Sequence, residues 1–301
     1  ALVGGACCIL VPNFNIRTYA DLLRKKHPNF IPGVPTLFEA LLRTTGLEKL
    51  DMSFLMGVFS GGDSLSVELK HKVDAFLRAH NAKVQIREGY GTTECVTASC
   101  LTPVDTARDG SIGIPFPDTF YKIVRPGTAE EVAPGEEGEI CLSGPTVMLG
   151  YLDNPKETAL VLQRHNDGRI WLHTGDLATM DTEGYVTVRG RSKNMLLTAS
   201  GQNIYPEEIE SKLNNMPYVS ESLIVLQNDK LVALIYPDFD DAFAHGMEQS
   251  DIEKVMEDNR NELNLQLPAY CQITKVKIHF EEFEKTAKKS IKRFMYQEVK
   301  G

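Results

Sequence analysis

The sequence lacks the features that mark zinc proteins, secreted proteins and membrane proteins. It has no CxxC pair, none of the paired spacings of a zinc site and no apolar run long enough to span a bilayer. The apolar opening 1–12 has no positively charged lead, so we expect a buried strand there rather than a signal peptide or an anchor. The scattered cysteines are typical of reduced, mostly buried thiols in the cytoplasm: Cys7, Cys8, Cys95, Cys100, Cys141 and Cys271.

Positive charge is also scarce. Asp and Glu number 41 against 32 Lys and Arg, which gives a net charge of −9. This balance argues against nucleic-acid partners and against more than a peripheral contact with membranes. Segment 285–300 is the exception, because its basic residues clearly outnumber its acidic ones. The simplest interpretation of that segment is a solvated helix face.

The chain has 301 residues, of which 42% are apolar and 24% charged, as is typical of a globular protein with more than one domain. Over the first 95 residues, apolar runs alternate with helical stretches, and this alternation predicts a parallel α/β sheet. We predict helices at 18–26, 35–43 and around 69–77, and strands at 7–11, near 30, at 54–59 and at 83–87.

The pattern changes twice further along the chain. Short strands separated by Gly and Pro turns predict a β-rich subdomain at 110–190, which completes a large domain over 1–190 whose α/β sheet lies at 1–109. Segment 191–301 predicts a separate small α+β domain with a hinge near 191–194. In these two regions we predict strands at 120–124, 139–143, 185–189, 222–227, 231–236 and 275–280, and helices at 206–213 and 251–267.

Two glycine-rich segments follow predicted strands of the α/β sheet, at the edge where open α/β sheets bind ligands. The first is Ser60, Gly61, Gly62 and Asp63. Paired glycines let a flat ligand approach the backbone closely, although a tight strand-to-helix turn would use them too. The second is EGYGTTE at 88–94, which combines glycines, an aromatic ring, two hydroxyls and a carboxylate.

The second segment suits a nucleotide and its metal ion. Tyr90 offers a stacking face, and the hydroxyls of Thr92 and Thr93 can hydrogen-bond phosphate or carboxylate oxygens. Glu94 is a hard oxygen ligand of the kind that Mg²⁺ takes. A polar loop with an N-capping threonine would look partly similar, but capping needs only one of the two threonines.

Two later segments carry isolated charges. In WLHTGDLATMDTEGYVTVRGR at 171–191, Asp176 follows a glycine and presents two acceptors suited to the hydroxyls of a ribose, although a turn aspartate fits as well. GRSKNMLLTASGQNIYPEEIE at 190–210 places Arg191 and Lys193 at the predicted joint between domains. Charged residues on a surface strand would also explain these two side chains.

Taken together, the four segments resemble the adenylate-forming superfamily of acyl-CoA synthetases, luciferases and peptide-synthetase adenylation domains. The resemblance covers nearly the whole chain and includes GVPTLFEALL at 33–42, GSIGIPFP at 110–117 and GEICLSGPTVMLGYLDNPKET at 138–158. The overall spacing and the tail SIKRFMY are most similar to long-chain synthetases. The resemblance therefore implies a carboxylic acid substrate, with a fatty acid favoured.

The resemblance also implies a role for each matched residue. Gly61, Gly62 and Asp63 would lie along the adenine with Tyr90 stacked on it, and Glu88, Gly89, Gly91 and Thr92 would complete the nucleotide loop. Thr93 would hold the α-phosphate or the acyl carboxylate, and Glu94 the Mg²⁺. Asp176 and Arg191 would bind the ribose, Lys193 would be the hinge, and Ser200 and Gly201 would line the pantetheine channel of coenzyme A.

Two departures from the family pattern limit this resemblance. The family's phosphate-gripping loop ending in Pro-Lys-Gly does not occur, so we expect a truncated chain that lacks roughly 200 to 250 residues before its start. The usual Gly-Lys step is replaced in KTAKKSIKR at 285–293, where Ser290 stands in the place of the catalytic lysine. Lys289 or Lys288 is the candidate substitute, and a structural basic helix is an equal alternative.

The expected activity is that of an ATP-dependent acyl-CoA synthetase that converts a carboxylic acid to an acyl-adenylate and then to its coenzyme A thioester. ATP or AMP, Mg²⁺ and coenzyme A are the expected ligands. A homodimer is one oligomeric state that we consider. The truncated chain is expected to be inactive alone. One alternative is an acyl-adenylate ligase that loads a carrier protein. Another is a non-catalytic nucleotide- or CoA-binding module, which the absent phosphate loop and Ser290 favour.

Overall fold

The computed structural model describes residues 4–11, 15, 18–198, 201–286 and 291–296. The chain divides into two compact units, Ala1–Phe116 and Pro117–Gly301, and each unit has a hydrophobic core of its own. Within the described ranges, no helix combines the length and the apolar character that crossing a membrane requires.

The first unit is built on a five-stranded sheet. Its strands are β1 (Phe30–Gly33), β2 (Gly57–Ser60), β3 (Ile86–Gly91), β4 (Ala98–Leu101) and β5 (Ile114–Pro115), in that spatial order. β1, β2 and β3 are parallel, whereas β3, β4 and β5 pair antiparallel. The predicted parallel α/β sheet is therefore confirmed for β1, β2 and β3, and the two glycine-rich segments lie at the ends of β2 and β3.

Three helices accompany this sheet: α1 (Tyr19–Lys26), α2 (Pro35–Arg43) and α3 (Val67–Ala79). The sequence explains where α2 and α3 begin. Pro35 occupies the first turn of α2, where its missing N–H costs nothing, and the side chain of Ser66 accepts a hydrogen bond from Leu69 N at 3.2 Å to cap α3. Phe38 and Val73 are fully buried, so both helices cover the sheet with their apolar faces.

The predicted buried strand near the start of the chain is wrong. Residues 6–11 have no regular secondary structure and their side chains are exposed. Among the described residues no strand pairs with this segment, so its backbone gains no ladder of hydrogen bonds and its apolar side chains gain no covering face. Cys7 and Cys8 are accordingly exposed, whereas the expected burial holds for Cys95, Cys100 and Cys141.

The second unit begins with an antiparallel sheet in the order β10-β9-β7-β6, with β8 paired to β9. Its strands are β6 (Phe120–Val124), β7 (Glu137–Ser143), β8 (Leu162–Arg164), β9 (Ile170–Met180) and β10 (Val186–Arg191), and the helix α4 (Pro155–Val161) precedes β8. The 11-residue β9 was not predicted, because the polar HTGD stretch interrupts its apolar pattern. Gly175, with φ of +73°, lies where the β7–β9 register shifts.

The rest of the second unit mixes helices and strands, as predicted. A short hairpin of β11 (Leu196–Leu197) and β12 (Asn203–Ile204) precedes the helix α5 (Pro206–Leu213). A three-stranded sheet of β13 (Val219–Gln227), β14 (Lys230–Pro237) and β15 (Lys275–Ile278) packs with α6 (Phe239–Ala244) and α7 (Gln249–Asn264).

The basic C-terminal segment is not a helix in its described part. Lys285 and Ile291 form an isolated β-bridge, and a single 3-10 turn covers Arg293–Met295. Ion pairs lie on both sides of this bridge. Lys285 Nζ is 2.7 Å from Glu221, and Lys292 Nζ is 3.5 Å from Glu284. These acids neutralise part of the local positive charge, so the described part of the segment is not the solvated helix face that the sequence suggested.

Candidate functional site

The glycine-rich segments of the first unit lie side by side. Ser60 at the end of β2 pairs in register with Glu88 of β3, and Gly61 N donates a hydrogen bond to Gly33 O at the end of β1 at 3.0 Å. A Cβ atom on Gly61 would lie 3.3 Å from Gly89 O. The carboxyl ends of three parallel strands thus meet at one edge with backbone, rather than side chains, at the surface.

Glu88 lies under this edge rather than on it. Its side chain is buried, its Oε1 accepts a hydrogen bond from Leu65 N at 3.0 Å, and its backbone N donates to Thr102 Oγ1 at 3.1 Å. Burial raises the pKa of Glu88 to about 7, although the Leu65 amide opposes this by stabilising the carboxylate. The Glu88 side chain therefore ties the turn after β2 to β3.

The loop after β3 is fixed by a glycine and a thiol. A Cβ atom on Gly91 would lie 1.6 Å from Thr97 O, so only glycine fits there. A 3-10 turn follows over Thr93–Cys95, and the buried Cys95 Sγ accepts from Thr92 N at 3.3 Å. Val96 then adopts a φ of +75°, a conformation that costs a β-branched residue about 1 to 3 kcal/mol.

Groups on the two loops face outwards to different degrees. Gly62, Asp63 and Thr93 are exposed, whereas Tyr90 and Glu94 are half-buried. The left-handed φ of +80° at Gly62 turns the backbone outwards, and Asp63 Oδ1 accepts a hydrogen bond from Ser64 N at 2.8 Å. The first unit thus presents accessible backbone, hydroxyl and carboxylate groups beside one aromatic ring.

One polar atom beneath these loops is unsatisfied. The hydroxyl of Ser60 is buried, and no hydrogen-bond partner for its Oγ is found in the part of the chain that the structure describes. A buried hydroxyl without a partner costs roughly 1 to 3 kcal/mol. Because β2 ends at Ser60, this unsatisfied hydroxyl lies at the start of the first glycine-rich segment.

Asp176 and Arg191 of the second unit lie opposite each other on β9 and β10. Arg191 Nε is 2.7 Å from Asp176 Oδ1; the aspartate is buried and the arginine half exposed. Asp176 N donates to Thr174 Oγ1 at 3.1 Å, which fixes the strand beside the Gly175 bulge. Asp176 is therefore a buried strand residue in an ion pair, not the turn aspartate that was the simpler alternative.

The segment around Lys193 is a short connection with several anchors. Lys193 is exposed in a 3-10 turn over Ser192–Asn194 that directly follows β10. Asn194 Nδ2 donates to Glu207 Oε1 of α5 at 2.6 Å. The hydroxyl of Tyr205 donates to Glu137 of β7, so side chains on both sides of the predicted hinge are joined.

The predicted coenzyme A residues are only partly described. Gly201 has a φ of +79° and donates from its backbone N to Thr198 O at 2.9 Å, within the loop between β11 and β12. Ser200 lies outside the described residues, and so do Lys288, Lys289 and Ser290. The structure therefore places Gly201 in a tight turn.

An ion pair that no sequence pattern indicated holds the segment around Arg293. Arg293 donates to Glu210 of α5, and both side chains are largely buried. Glu210 Oε1 also accepts from Ile224 N at 2.6 Å, so α5, β13 and the tail share one carboxylate. Burial raises the pKa of Glu210 while Arg293 opposes that rise. The partners are 83 residues apart, and no local pattern indicated the pair.

Family comparisons match both ends of the chain. Residues 1–152 match the AMP-binding enzyme family, and residues 193–298 match the AMP-binding enzyme C-terminal domain. The chain belongs to the AMP-binding enzyme family. The resemblance carried by the sequence motifs is thereby confirmed.

Individual relatives agree with this assignment. The chain is 34% identical over 221 residues to the probable 4-coumarate–CoA ligase 2 of Dictyostelium discoideum, covering 73% of this chain and 39% of the relative. It is 38% identical over 220 residues to the long-chain-fatty-acid–CoA ligase of Bacillus subtilis, covering 72% and 37%. The chain thus spans less than half the length of the curated relatives it matches.

Solved structures show the same fold. An anthranilate CoA ligase in complex with anthranoyl-AMP superimposes with a TM-score of 0.78 at 26% identity, over 97% of this chain and 53% of that chain. The mixed α/β architecture predicted from the sequence is therefore that of known adenylate-forming enzymes.

Proposed function

We propose that this chain carries the nucleotide-handling part of an AMP-forming acid–CoA ligase. The observation that supports this most directly is the meeting of 60–63 and 88–94 at the carboxyl edge of the parallel strands, where open α/β sheets bind ligands. The membership of the chain in the AMP-binding enzyme family also supports a nucleotide as the ligand.

In the first unit, the proposed adenine-binding surface is the backbone of Gly61 and Gly62 with the ring of Tyr90. Close backbone approach needs glycine, and Gly89 and Gly91 leave no side chain between the strands. Glu88 acts as a positioning residue, because its buried carboxylate holds Leu65 and with it the turn that contains Asp63. Its neutral or charged state therefore affects the shape of the loop rather than the ligand directly.

The proposed reaction centre uses Thr93 and Glu94. Thr93 is exposed, and the threonine hydroxyls suit the α-phosphate oxygens of a nucleotide or the carboxylate of the acid. The Glu94 carboxylate and nearby hydroxyl oxygens fit Mg²⁺, which usually takes one or two protein carboxylates together with substrate phosphates. When bound there, Mg²⁺ would offset negative charge on the phosphate oxygens.

In the second unit, Asp176 is the proposed ligand of the ribose hydroxyls. Arg191 fixes its carboxylate through Nε at 2.7 Å, and the fixed acceptor lowers the cost of ordering on binding. We further propose that the short turn containing Lys193 is the hinge between the residues 1–190 and 191–301. Arg189–Glu208 at 3.3 Å and Tyr205–Glu137 are contacts that a rotation at that turn would break.

The proposed reaction has two steps. An oxygen of the carboxylic acid attacks the α-phosphorus of ATP, forming the acyl–O–P bond as the bond to pyrophosphate breaks. The coenzyme A thiol then loses its proton and attacks the acyl carbon, forming the thioester and releasing AMP. A fatty acid is the favoured acid, since the curated relatives include long-chain-fatty-acid ligases at 38% and 41% identity, although 4-coumarate ligases also occur among them.

Calorimetric titration with AMP tests the proposal. Replacing Asp176 by Ala should weaken AMP binding by roughly 1 to 3 kcal/mol, the usual size of a lost charge-assisted hydrogen bond. Asp258→Ala is a matched control, because Asp258 is an exposed residue of α7 that is not among the proposed ligands. Equal affinities of the Asp176→Ala and control variants would remove Asp176 from the site.

A nucleotide-binding module without turnover is the second candidate, favoured by one observation. Ser290 occupies the position where the family's catalytic lysine is expected, and Lys289 and Lys288 precede it. Pyrophosphate release by the full-length protein, with ATP, a fatty acid and coenzyme A, distinguishes the two. Turnover that is lost in Lys289→Ala but kept in Lys292→Ala supports the ligase with Lys289 as its lysine, whereas AMP binding without turnover supports the module.

A further inference from the structure

Three buried side chains of the second unit come together from separate elements. Cys141 lies on β7 and pairs in register with His173 of β9, while His165 lies directly after β8. One potential ligand atom of each lies within 4.8 Å of the others, and all three residues are buried. The sequence has none of the paired spacings of a zinc site, so only the fold brings these three residues together.

The contacts of the His165 and His173 rings indicate which ring nitrogens carry a proton. His173 Nδ1 lies 3.0 Å from Glu139 Oε2, so this nitrogen carries a proton that it donates to the carboxylate. His173 Nε2 is then an acceptor, and it lies 2.9 Å from His165 Nε2, which must donate. The remaining His165 nitrogen, Nδ1, is left as a bare lone pair.

That lone pair is the unexplained group of the cluster. His165 is 5% exposed, and its Nδ1 has no hydrogen-bond partner within the described ranges. Because Nε2 of His165 donates to His173, Nδ1 is the ring position that keeps a lone pair. Cys141 is fully buried on β7, in register with His173.

Glu139 completes the arrangement as an outer group. Its Oε2 faces His173 Nδ1, and its Oε1 accepts from Gly175 N at 2.9 Å, so the carboxylate is held from both sides. A carboxylate that receives the second ring proton of a histidine is the usual support of a metal-binding imidazole, because it fixes the tautomer in which Nε2 carries a lone pair. A bound cation would take this lone pair of His173 in place of the hydrogen bond from His165.

We propose that Cys141, His173 and one ring nitrogen of His165 form a three-ligand site for a zinc-type divalent cation, oriented by Glu139. Zinc bound tetrahedrally to nitrogen and sulfur keeps its ligand atoms about 3.3 to 3.6 Å apart. This separation is within the 4.8 Å limit that the three observed ligand atoms satisfy. On binding, the thiol releases one proton to solvent and the thiolate forms the metal–sulfur bond.

The cation must also tolerate the positive charge of Lys122. Lys122 Nζ lies 4.1 Å from the centroid of the Trp171 ring, 3.5 Å from Glu131 and 3.7 Å from Asp167. Two carboxylates and an aromatic face therefore share the lysine charge. The thiolate and Glu139 supply two negative charges to the site itself, which balances the divalent ion.

Cobalt and zinc titrations test the site. Metal-stripped Cys7→Ser/Cys8→Ser protein is the reference, because it removes the exposed adjacent cysteines that could bind metal adventitiously. We expect one Co²⁺ per chain with a thiolate-to-cobalt charge-transfer band, displacement of Co²⁺ by Zn²⁺, and release of about one proton per metal, read from calorimetry in buffers of different ionisation enthalpy.

Variants separate the site from other thiols. Cys141→Ser in this reference should lose the band, and Cys271→Ser, the control, should keep it. Glu139→Gln should weaken metal binding by about 10- to 100-fold while the band remains, as expected of an outer group. Far-ultraviolet circular dichroism of each metal-free variant confirms that it is folded.

Two results would overturn the proposal. One is the absence of a Co²⁺ charge-transfer band in the reference protein, because that protein keeps all three proposed ligands unchanged. The other is a band that survives in Cys141→Ser, which would place the thiolate site elsewhere, or a His165→Gln variant that binds Co²⁺ as tightly as the reference, which would remove His165 from the site.

Discussion

Replacing Glu88 by Gln should remove a pH-dependent loss of stability from the first unit. The pKa of Glu88 is about 7 in the folded protein against an ordinary value of 4.5. A folded-state pKa above the unfolded value means that the folded protein binds the proton more tightly. The stability that this proton contributes is therefore fully present below about pH 4.5 and is lost as the pH rises through 7.

The size of the effect follows from the two pKa values. A tenfold difference in proton affinity is worth about 1.4 kcal/mol, so this shift corresponds to about 3 kcal/mol, of which about 2 to 3 kcal/mol is lost between pH 5 and pH 8. Glutamine keeps an acceptor for Leu65 N but cannot ionise. The wild-type protein should therefore lose about 2 to 3 kcal/mol more than Glu88→Gln over this pH range.

Urea unfolding followed by circular dichroism at pH 5, 6.5 and 8 measures the difference. Glu68→Gln on the exposed face of α3 is the control, and it should follow the wild-type pH dependence. Glu210 contributes in the same direction from the second unit, but it is unchanged in all three proteins and cancels from the comparison. Identical pH dependences for wild type and Glu88→Gln would refute the buried position of this carboxyl group.

Three further predictions concern strain, the hinge and the tail. Val96→Gly should stabilise the protein by about 1 kcal/mol, seen as a Tm increase of a few degrees, because φ of +75° suits glycine; a lower Tm would show that the loop is not strained. Tyr205→Phe removes the hydrogen bond to Glu137 and should cost about 1 kcal/mol, with amide exchange in α5 about fivefold faster; unchanged exchange would contradict it. Arg293→Gln leaves Glu210 buried and unpaired and should cost about 3 kcal/mol in urea unfolding, whereas a cost below 1 kcal/mol would mean that the pair is solvated.

Much of the fold was readable from the sequence because local pattern and tertiary environment agree. The helix that starts at Pro35 has both a proline in its first turn and a regular apolar face, and its bounds were predicted without error. The strand β9 was missed, because Gly175 with its positive φ breaks the alternation while cross-strand hydrogen bonds keep the segment extended. The segment 7–11 shows the reverse case, in which apolar composition had no neighbouring strand to cover it.

The site residues divide in the same way. The position of 60–63 beside 88–94 follows from the rule that parallel strands place their carboxyl ends at one edge. The burial of Glu88 does not, because it depends on Thr102 and Leu65, which no motif connects to it. The cluster of Cys141, His165 and His173 was invisible for the same reason, since strand register alone brings its members together.

The length of β9 has a consequence for the energetics of the second unit. One strand carries His173 of the buried cluster and, across Gly175, Asp176 of the proposed ribose site, and Glu139 contacts the backbone between them. A cation that tightens this stretch and a nucleotide that needs Asp176 in place would each favour the same arrangement. Thermodynamic linkage then requires that each ligand change the affinity of the other by the same factor.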